Sequence, residues 1–259
     1  MVTTSATLPF DLRAAKAALA AKDEQLARLI EECVEFQIEL EATDSPYEAL
    51  LESIAYQSIS GKAAATIFAR IKALGSGERP PTPQEMSKLR KNTLRKAGLS
   101  GAKVLAMKDL ARKTIAGIVP SMEDAQKMSD EELVERLVSV RGIGAWTVEM
   151  FLIFRLGRPD VLPIHDLGVK KGWSVTYGKK QMPKPKELLA FGERWRPYRT
   201  LASWYMWRAF ERAGYKATNK IGKAKVRKRP KDDATEKHKS RRLSRSLPRK
   251  AHVPNSTKK

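Results

Sequence analysis

The residues of this chain best suited to chemistry lie between positions 133 and 172. Asp166 stands in the apolar and basic run Leu-Pro-Ile-His-Asp-Leu-Gly-Val-Lys-Lys, and the turn Arg-Gly-Ile-Gly precedes it at 141–144. Glycines at a helix start let a turn approach a surface closely and point backbone N–H groups outward, which suits an anion such as phosphate. A carboxylate can stabilise developing positive charge or move a proton. The structural alternatives are a plain tight turn and an N-cap for a helix that begins at Leu167.

Two helices must position these groups. Ser129 and Glu132 have the spacing of a capping box, and apolar residues keep helical spacing from there until the glycines break the helix. A second helix is expected from about Ala145, and its apolar residues predict that it is buried.

The wider pattern resembles a known family. The chain reads L-x-x-V-R-G-I-G-x-W-T at 137–147 and then L-P-I-H-D-L-G-V at 162–169. This resembles the helix-hairpin-helix, Gly/Pro-rich loop and aspartate signature of the base-excision DNA glycosylases, and most closely the alkyladenine glycosylases of the DNA-3-methyladenine glycosylase II type. The stretches P-Y-E-A-L-L-E-S-I-A-Y-Q-S-I-S-G-K-A-A at 46–64 and R-W-R-P-Y-R-T-L-A-S-W-Y-M-W-R at 194–208 extend the resemblance over about 46–212.

The resemblance implies a role for Asp166 and for the hairpin. Asp166 is expected to stabilise positive charge on the deoxyribose and to orient or deprotonate the attacking water while an N-glycosidic bond breaks. The phosphate grip is expected to consist of the amides of Gly142 and Gly144 with the hydroxyl of Thr147. Lys170 is expected to contact phosphate or solvent. The implied structural metal is a monovalent cation held by backbone carbonyls, those of Val138, Val140 and Ile143.

Base recognition is expected from aromatic residues. Alkylated purines such as 3-methyladenine and 7-methylguanine carry positive charge, which electron-rich rings attract. Trp146 and Trp207 match family positions that line the base pocket, Met150 falls where some relatives have tyrosine, and Tyr56 either faces the pocket or packs. Relatives that also cut the DNA backbone have a lysine at the position of Trp146, so no lyase step is expected. Trp195 and Trp204 are expected to be core residues.

The segment that fills the gap left by a flipped base departs from the family pattern. The family has Gln-Gln or Gln-Leu where this chain reads Gln57-Ser58, and a serine is too short to fill the gap. Either a neighbour such as Ile59 compensates, or the grip on undistorted DNA is weaker and is supplemented by the basic tail. Gln57 itself could equally be a capping or core amide.

Composition favours a polyanionic partner. The formal net charge is +21, and residues 216–259 contain 17 Lys and Arg against 3 Asp and Glu. This charge favours nucleic acid or an anionic membrane surface. Nucleic acid is preferred because no apolar run is long enough for a bilayer. The single cysteine, Cys33, excludes an internal disulfide framework and a four-cysteine iron–sulfur site, and it is expected to be a buried helical residue.

The predicted architecture is an all-α, two-lobed helix-hairpin-helix DNA glycosylase fold without an amino-terminal β-rich domain. Residues 1–45 are expected to form helices that pack on the carboxy-terminal lobe, 46–215 the glycosylase core and 216–259 a disordered basic tail. The hairpin is assigned to 133–156 and the catalytic loop to 160–172. Helices are expected to begin near Pro46, Pro83 and Pro197.

The sequence therefore predicts a monofunctional DNA glycosylase that flips alkylated purines out of duplex DNA and releases them by hydrolysis, leaving an abasic site. Its partner would be double-stranded DNA containing alkylated bases, with no membrane, no organic cofactor and no catalytic metal, and the protein would be a monomer. Asp11, Arg13 and Lys16 interrupt any signal-peptide pattern, so we expect an intracellular, DNA-associated protein. The alternatives are a glycosylase for ethenoadenine, deaminated purine or uracil, and a noncatalytic DNA-binding relative.

Overall fold

The computed structural model describes residues 9–33, 36, 38, 40, 43 and 45–214. These residues form thirteen α-helices and one short 3-10 helix, with no strand among them, so the all-α prediction is confirmed. The basic tail predicted at 216–259 lies outside the described residues, and the division at 45 and 215 stays a prediction. No helix in the described ranges combines the length and the apolar character needed to cross a membrane.

The α-helices follow one another along the chain as α1 Leu12–Lys22, α2 Glu24–Glu32, α3 Pro46–Tyr56, α4 Gly61–Lys72, α5 Pro83–Lys88, α6 Lys91–Lys96, α7 Gly101–Ile115, α8 Met122–Lys127, α9 Asp130–Val138, α10 Ala145–Phe154, α11 Leu167–Thr176, α12 Pro185–Gly192 and α13 Arg199–Arg212. The 3-10 helix, Glu193–Trp195, joins α12 to the segment before α13.

Short polar side chains begin most of these helices. Each accepts a hydrogen bond from a backbone N–H of the first turn, which otherwise has no partner within the helix. Such caps occur at Asp11, Asp23, Ser45, Ser60, Thr82, Ser100, Ser121, Ser129 and Asp166. At Thr82 the capping box is complete, because the Glu85 carboxylate accepts the Thr82 N–H at 2.9 Å.

Two helix starts differ from the sequence-based expectation. Ser129 caps α9, but the Glu132 carboxylate bonds with the Arg136 guanidinium at 2.8 Å instead of closing a capping box. The last helix begins at Arg199 and not at Pro197, because Tyr198 has the nonhelical angles φ −120° and ψ 37°. The Arg199 N–H donates to Asp160 Oδ1 at 3.3 Å, which attaches the start of α13 to the loop before Asp166.

The amino-terminal helices are joined to the aromatic core by Asp23. This residue is only 4% exposed and caps α2. Its Oδ2 atom accepts hydrogen bonds from the Tyr177 hydroxyl at 2.6 Å and from Trp195 Nε1 at 3.1 Å. These two hydrogen bonds offset the free-energy cost of burying the carboxylate. Cys33 was predicted to be a buried helical residue, and this prediction was wrong. The residue is half-buried and forms the C-cap of α2.

Helices α11 and α13 approach each other closely. Gly172 lies against the backbone of Met206, and a Cβ atom added to Gly172 would lie 1.8 Å from the Met206 carbonyl oxygen. Gly168 stands one turn earlier on the same face, because residues four apart are neighbours on a helix. The two glycines therefore allow α13 to pack directly on α11, the helix that begins after Asp166.

Candidate active site and hairpin

Asp166 lies at the amino terminus of α11 with both carboxylate oxygens hydrogen-bonded. Oδ1 accepts from the Val169 backbone N–H and from Trp207 Nε1, and Oδ2 accepts from Trp146 Nε1, each at 2.8 Å. The helix-cap role considered from the sequence is therefore present, together with contacts to both tryptophans predicted for the base pocket. Three N–H donors from three different helices hold the carboxylate in one orientation.

The contact between Trp207 and Asp166 depends on Gly168. A Cβ atom at Gly168 would lie 2.8 Å from Trp207 Cδ1 and 3.1 Å from Asp166 Oδ1, so any side chain there would displace the indole or the carboxylate. Neither Gly168 nor Gly172 was among the predicted site residues. The available signal was their four-residue spacing in Leu-Gly-Val-Lys-Lys-Gly, which places two small residues on one helix face.

The loop between α10 and α11 is attached to its neighbours on both sides of Asp160. The Arg199 guanidinium contacts Asp160 Oδ1 through Nε at 2.8 Å, and the Thr200 hydroxyl accepts the Val161 N–H at 3.0 Å. Arg158 donates to backbone carbonyls near the end of α8, including that of Met128 at 2.8 Å. These bonds fix the chain that leads into Asp166.

The predicted pocket residues differ in their surroundings. Trp146 and Trp207 are half-buried, and the Trp207 ring stacks on Phe154 with centroids 5.8 Å apart and an interplanar angle of 22°. Met150 is buried at 6% exposure. Tyr56 is half-buried, with its ring edge-on to Phe68 in α4. The structure thus brings both tryptophans to Asp166, while no described hydrogen bond connects Met150 or Tyr56 with it.

The hairpin exposes its two glycines. Gly142 has φ +79°, a left-handed conformation that favours glycine. Gly144 has φ −103°, and a Cβ atom there would meet nothing within 4 Å. Neither backbone conformation nor packing within the described protein therefore requires glycine at 144. Thr147, the third predicted grip residue, is 8% exposed, so little of its side chain is open to a phosphate.

Helix α7 contacts the backbone of the hairpin through two charged side chains. Asp109 Oδ2 accepts the Arg141 backbone N–H at 2.8 Å, and the Lys113 ammonium group donates to the Ser139 carbonyl. Burial opposes the charge of Asp109, but the Arg141 amide, Lys113 and Arg112 outweigh it and lower the pKa of Asp109. The position of the turn is therefore determined by a charged group on another helix.

The carbonyls predicted to hold a monovalent cation, those of Val138, Val140 and Ile143, lie in the same hairpin. Two other backbone carbonyls of the hairpin already accept hydrogen bonds from side chains. The Ser139 carbonyl accepts from Lys113, and the Gly142 carbonyl accepts from Gln57 Nε2 at 2.9 Å. The Val140 carbonyl accepts the Ile143 N–H at 3.0 Å, which leaves its second lone pair. The described ranges contain no cluster of three or more His, Cys, Asp or Glu residues suited to a metal ion.

The segment predicted to enter DNA lies between α3 and α4. Gln57 is the C-cap of α3, and its bond to the Gly142 carbonyl joins this segment to the hairpin. Ser58 is exposed and has φ +56°, which is unusual for a residue other than glycine. Ile59 is 38% exposed. Of the remaining predicted contacts, Lys170 is half-buried in the first turn of α11, where its N–H bonds to the Asp166 carbonyl at 3.1 Å.

Glu149 is a site residue that sequence analysis missed. It is half-buried in α10, and its Oε2 atom is buried with no hydrogen-bond partner. Burial, followed by repulsion from Asp166, raises the pKa of Glu149 to about 7. The available signal was a single acidic residue in the otherwise uncharged helix Ala-Trp-Thr-Val-Glu-Met-Phe-Leu-Ile-Phe.

Comparison with known proteins identifies the family of this chain. The model of the HhH-GPD superfamily of base excision DNA repair proteins matches residues 51–197. The chain is 39% identical to DNA-3-methyladenine glycosylase 1 of Schizosaccharomyces pombe over 170 residues, which cover 66% of this chain and 75% of that protein. It is 29% identical to the alkylbase DNA glycosidase-like protein mag2 of the same organism, covering 76% of this chain and 93% of that protein.

Solved structures show the same similarity in three dimensions. The S. pombe 3-methyladenine DNA glycosylase Mag1, in complex with abasic DNA, superposes with a TM-score of 0.69 at 36% identity, covering 79% of this chain and all of that chain. A DNA-3-methyladenine glycosidase from Bacillus halodurans gives a TM-score of 0.71 at 29% identity, covering 82% and 95%. The family model spans more than half of the sequence, and the chain therefore belongs to the HhH-GPD superfamily of base excision DNA repair proteins.

Proposed function

We propose that the protein is a monofunctional DNA glycosylase that releases alkylated purines from duplex DNA and leaves an abasic site. The observation that carries this proposal is the Asp166 carboxylate, held at 2.8 Å by the indole N–H groups of Trp146 and Trp207. The names of its relatives, which are DNA-3-methyladenine glycosylases, support the choice of alkylated purines as the substrate class. We propose that it acts as a monomer.

The hydrogen bonds of Asp166 indicate which oxygen does the chemistry. An ionised carboxylate offers about four acceptor positions, two on each oxygen. Oδ1 uses two, for Val169 and Trp207, whereas Oδ2 uses one, for Trp146. The remaining acceptor position on Oδ2 faces the reaction in this proposal, because a water or the sugar needs a free lone pair there.

The reaction then follows from charge. As the bond between C1′ and the base nitrogen breaks, its electron pair leaves with the base and positive charge develops on the deoxyribose. The Asp166 carboxylate stabilises that charge and accepts the proton of the water that attacks C1′. A base that is already cationic leaves as a neutral molecule, so no acid is needed for alkylated purines. The products are the free base and an abasic site.

No lyase step belongs to this proposal. Backbone cleavage by relatives uses a lysine amine that attacks the sugar, and Trp146 occupies that position here. The indole N–H of Trp146 donates a hydrogen bond to Asp166, and the indole nitrogen is not a nucleophile. Treatment with borohydride during turnover is therefore expected to trap no covalent complex between enzyme and DNA, and a trapped complex would contradict this part of the proposal.

The hairpin and the segment at 57–59 supply the DNA contacts. The amides of Gly142 and Gly144 bind a phosphate, and Lys170, in the first turn of α11, supplies a further phosphate contact. A monovalent cation on the carbonyls of Val138, Val140 and Ile143 would add positive charge at that phosphate. Ile59, and not Ser58, fills the space that the flipped base leaves in the DNA stack, because Ile59 is an exposed apolar side chain and the neighbouring serine is too short.

The decisive experiment measures free base released from randomly methylated duplex DNA, resolved by chromatography, for wild type and Asp166→Asn. The asparagine amide places an NH₂ group where one indole N–H now donates. We expect wild type to release 3-methyladenine or 7-methylguanine, and Asp166→Asn to be slower by at least about two orders of magnitude with abasic-DNA binding retained. Near-normal turnover by Asp166→Asn would reject the assigned role. No release by wild type from a wide lesion panel would favour a noncatalytic DNA-binding protein.

A further inference from the structure

Glu149 lies on the one face of α10 that is not closed by packing. Between Thr147 and Phe154 every other residue is buried, and Glu149 alone is partly exposed. The other partly exposed aromatic or charged residue of the helix is Trp146, three positions earlier and so on the same face. That face is the one from which Trp146 reaches Asp166 at 2.8 Å. The side chain of Glu149 therefore belongs to the same site.

Among the described residues, Glu149 forms no ion pair. One of its oxygens, Oε2, is buried without a hydrogen bond. On α3 and α9, two helices that pack against α10, Glu52 pairs with Arg155 at 2.9 Å and Arg136 pairs with Glu132 at 2.8 Å.

The charge that does act on Glu149 is that of Asp166, and it is repulsive. Burial and this repulsion raise the pKa of Glu149 to about 7, so in the free protein the carboxyl group keeps its proton below that pH, where an ordinary glutamate is ionised. Asp166 differs in this respect, since three N–H donors bond to it, whereas Glu149 Oε2 is buried without a donor. A buried carboxylate without a donor or a cation is unfavourable, and a positively charged ligand would remove that penalty.

We propose that Glu149 recognises the positive charge of the alkylated base. This inference rests on the proposed function and names the charge-selecting group of its pocket. When a cationic purine enters beside Trp146 and Trp207, Glu149 gives its proton to solvent and its carboxylate pairs with the purine. The tryptophan faces attract any aromatic base, whereas the carboxylate adds a preference for cationic ones. A neutral purine gains no ion pair with Glu149.

The direction of the pH dependence follows. Below the pKa of Glu149 the proton must be removed before the ion pair forms, and above it the carboxylate is ready. For a 3-methyladenine duplex, kcat/KM of wild type should therefore rise with pH through about 7 and then level. In Glu149→Gln this rise should be absent, and kcat/KM at pH 8 should be lower by about tenfold or more, the scale of one partly buried charge pair.

A matched control separates this effect from a change in net charge. Glu135→Gln removes the same charge from an exposed position on α9 and should leave both the rate and the rise intact. Abasic-DNA affinity should be equal in the two variants. Glu149→Asp, which keeps a carboxylate, should restore part of the rate. If Glu149→Gln keeps the wild-type rate and the rise near pH 7, the proposal is wrong, and an absent rise in wild type would contradict it even if the glutamine variant failed to fold.

A binding measurement tests the inference without catalysis. Tryptophan fluorescence can follow binding of the 3,9-dimethyladeninium cation and of neutral 9-methyladenine to the complex with abasic DNA at pH 8. Wild type should prefer the cation, and Glu149→Gln should lose about tenfold of that preference. An equal preference in both proteins would overturn the role of Glu149. A wild type that binds the cation selectively but releases no base would reject the proposed function and leave this inference supported.

Discussion

The region around Asp166 and the region around the hairpin follow opposite rules. At Asp166 the side chains are tightly packed. Both carboxylate oxygens accept hydrogen bonds, and there is no room for a methyl group at Gly168 or Gly172. At the hairpin, Gly144 borders open space and its side of the turn is exposed. Chemistry needs groups held in one geometry before the substrate arrives, whereas a grip on a phosphate needs backbone that nothing in the protein covers.

The largest effect should come from opening the closed region. Gly172→Ala places a methyl group 1.8 Å from the Met206 carbonyl oxygen, and because both are backbone positions, α13 must move away from α11. We expect the free energy of unfolding to fall by about 3 kcal/mol or more, measured by urea denaturation, with the Trp207 contact to Asp166 lost as well. Gly101→Ala is the control, since its nearest neighbour would be a flexible arginine end at 4.0 Å. Equal stability of the two variants would disprove the close packing.

A smaller effect is expected from removing one donor to Asp166. Trp207→Phe keeps a ring to stack on Phe154 but deletes the N–H that Oδ1 accepts at 2.8 Å. A hydrogen bond to a charged group is worth about 1.5–3 kcal/mol, so base release should slow by roughly ten- to a hundredfold. Abasic-DNA affinity should not change. Trp204→Phe is the matched control, because Trp204 is a core residue at 3% exposure and should affect stability more than rate.

The smallest effect, and the one that separates the two regions most clearly, is expected at the hairpin. Gly144→Ala adds a methyl group into open space at a φ that alanine accepts, so the free energy of unfolding should change by less than about 1 kcal/mol. The same methyl group would hold a phosphate away from the amide, and duplex affinity at fixed salt should fall about tenfold. Gly101→Ala should retain wild-type affinity. Unchanged affinity in Gly144→Ala would show that the turn does not contact DNA.

Much of the local structure was predictable because its causes are local. Four helix starts follow from a polar cap, and two of them also have a proline in the first turn. They lie at Pro46, Thr82, Ser100 and Ser129. The core positions of Trp195 and Trp204 also agree with the prediction. The start at Pro197 was wrong because a contact from Asp160, distant in sequence, determines where α13 begins.

Long-range contacts account for what the sequence did not reveal about the site. Asp166 and Trp207 were each identified as candidates, but 41 residues separate them, and the hydrogen bond between them depends on two glycines that allow α13 to approach. The bond from Gln57 to the Gly142 carbonyl spans 85 residues and joins two segments considered separately. No local periodicity reports such pairings.

Most helix starts and caps, the glycine turn and the candidate carboxylate could be recognised in the sequence, because each depends on neighbouring residues. The difference between the two carboxyl groups arises only when the chain is folded. Asp166 accepts hydrogen bonds from three N–H donors on α10, α11 and α13, while the Oε2 atom of Glu149, seventeen positions earlier, is buried without a donor. An acid's protonation depends on the charges and donors that surround it in space, and these come from segments far apart in the chain.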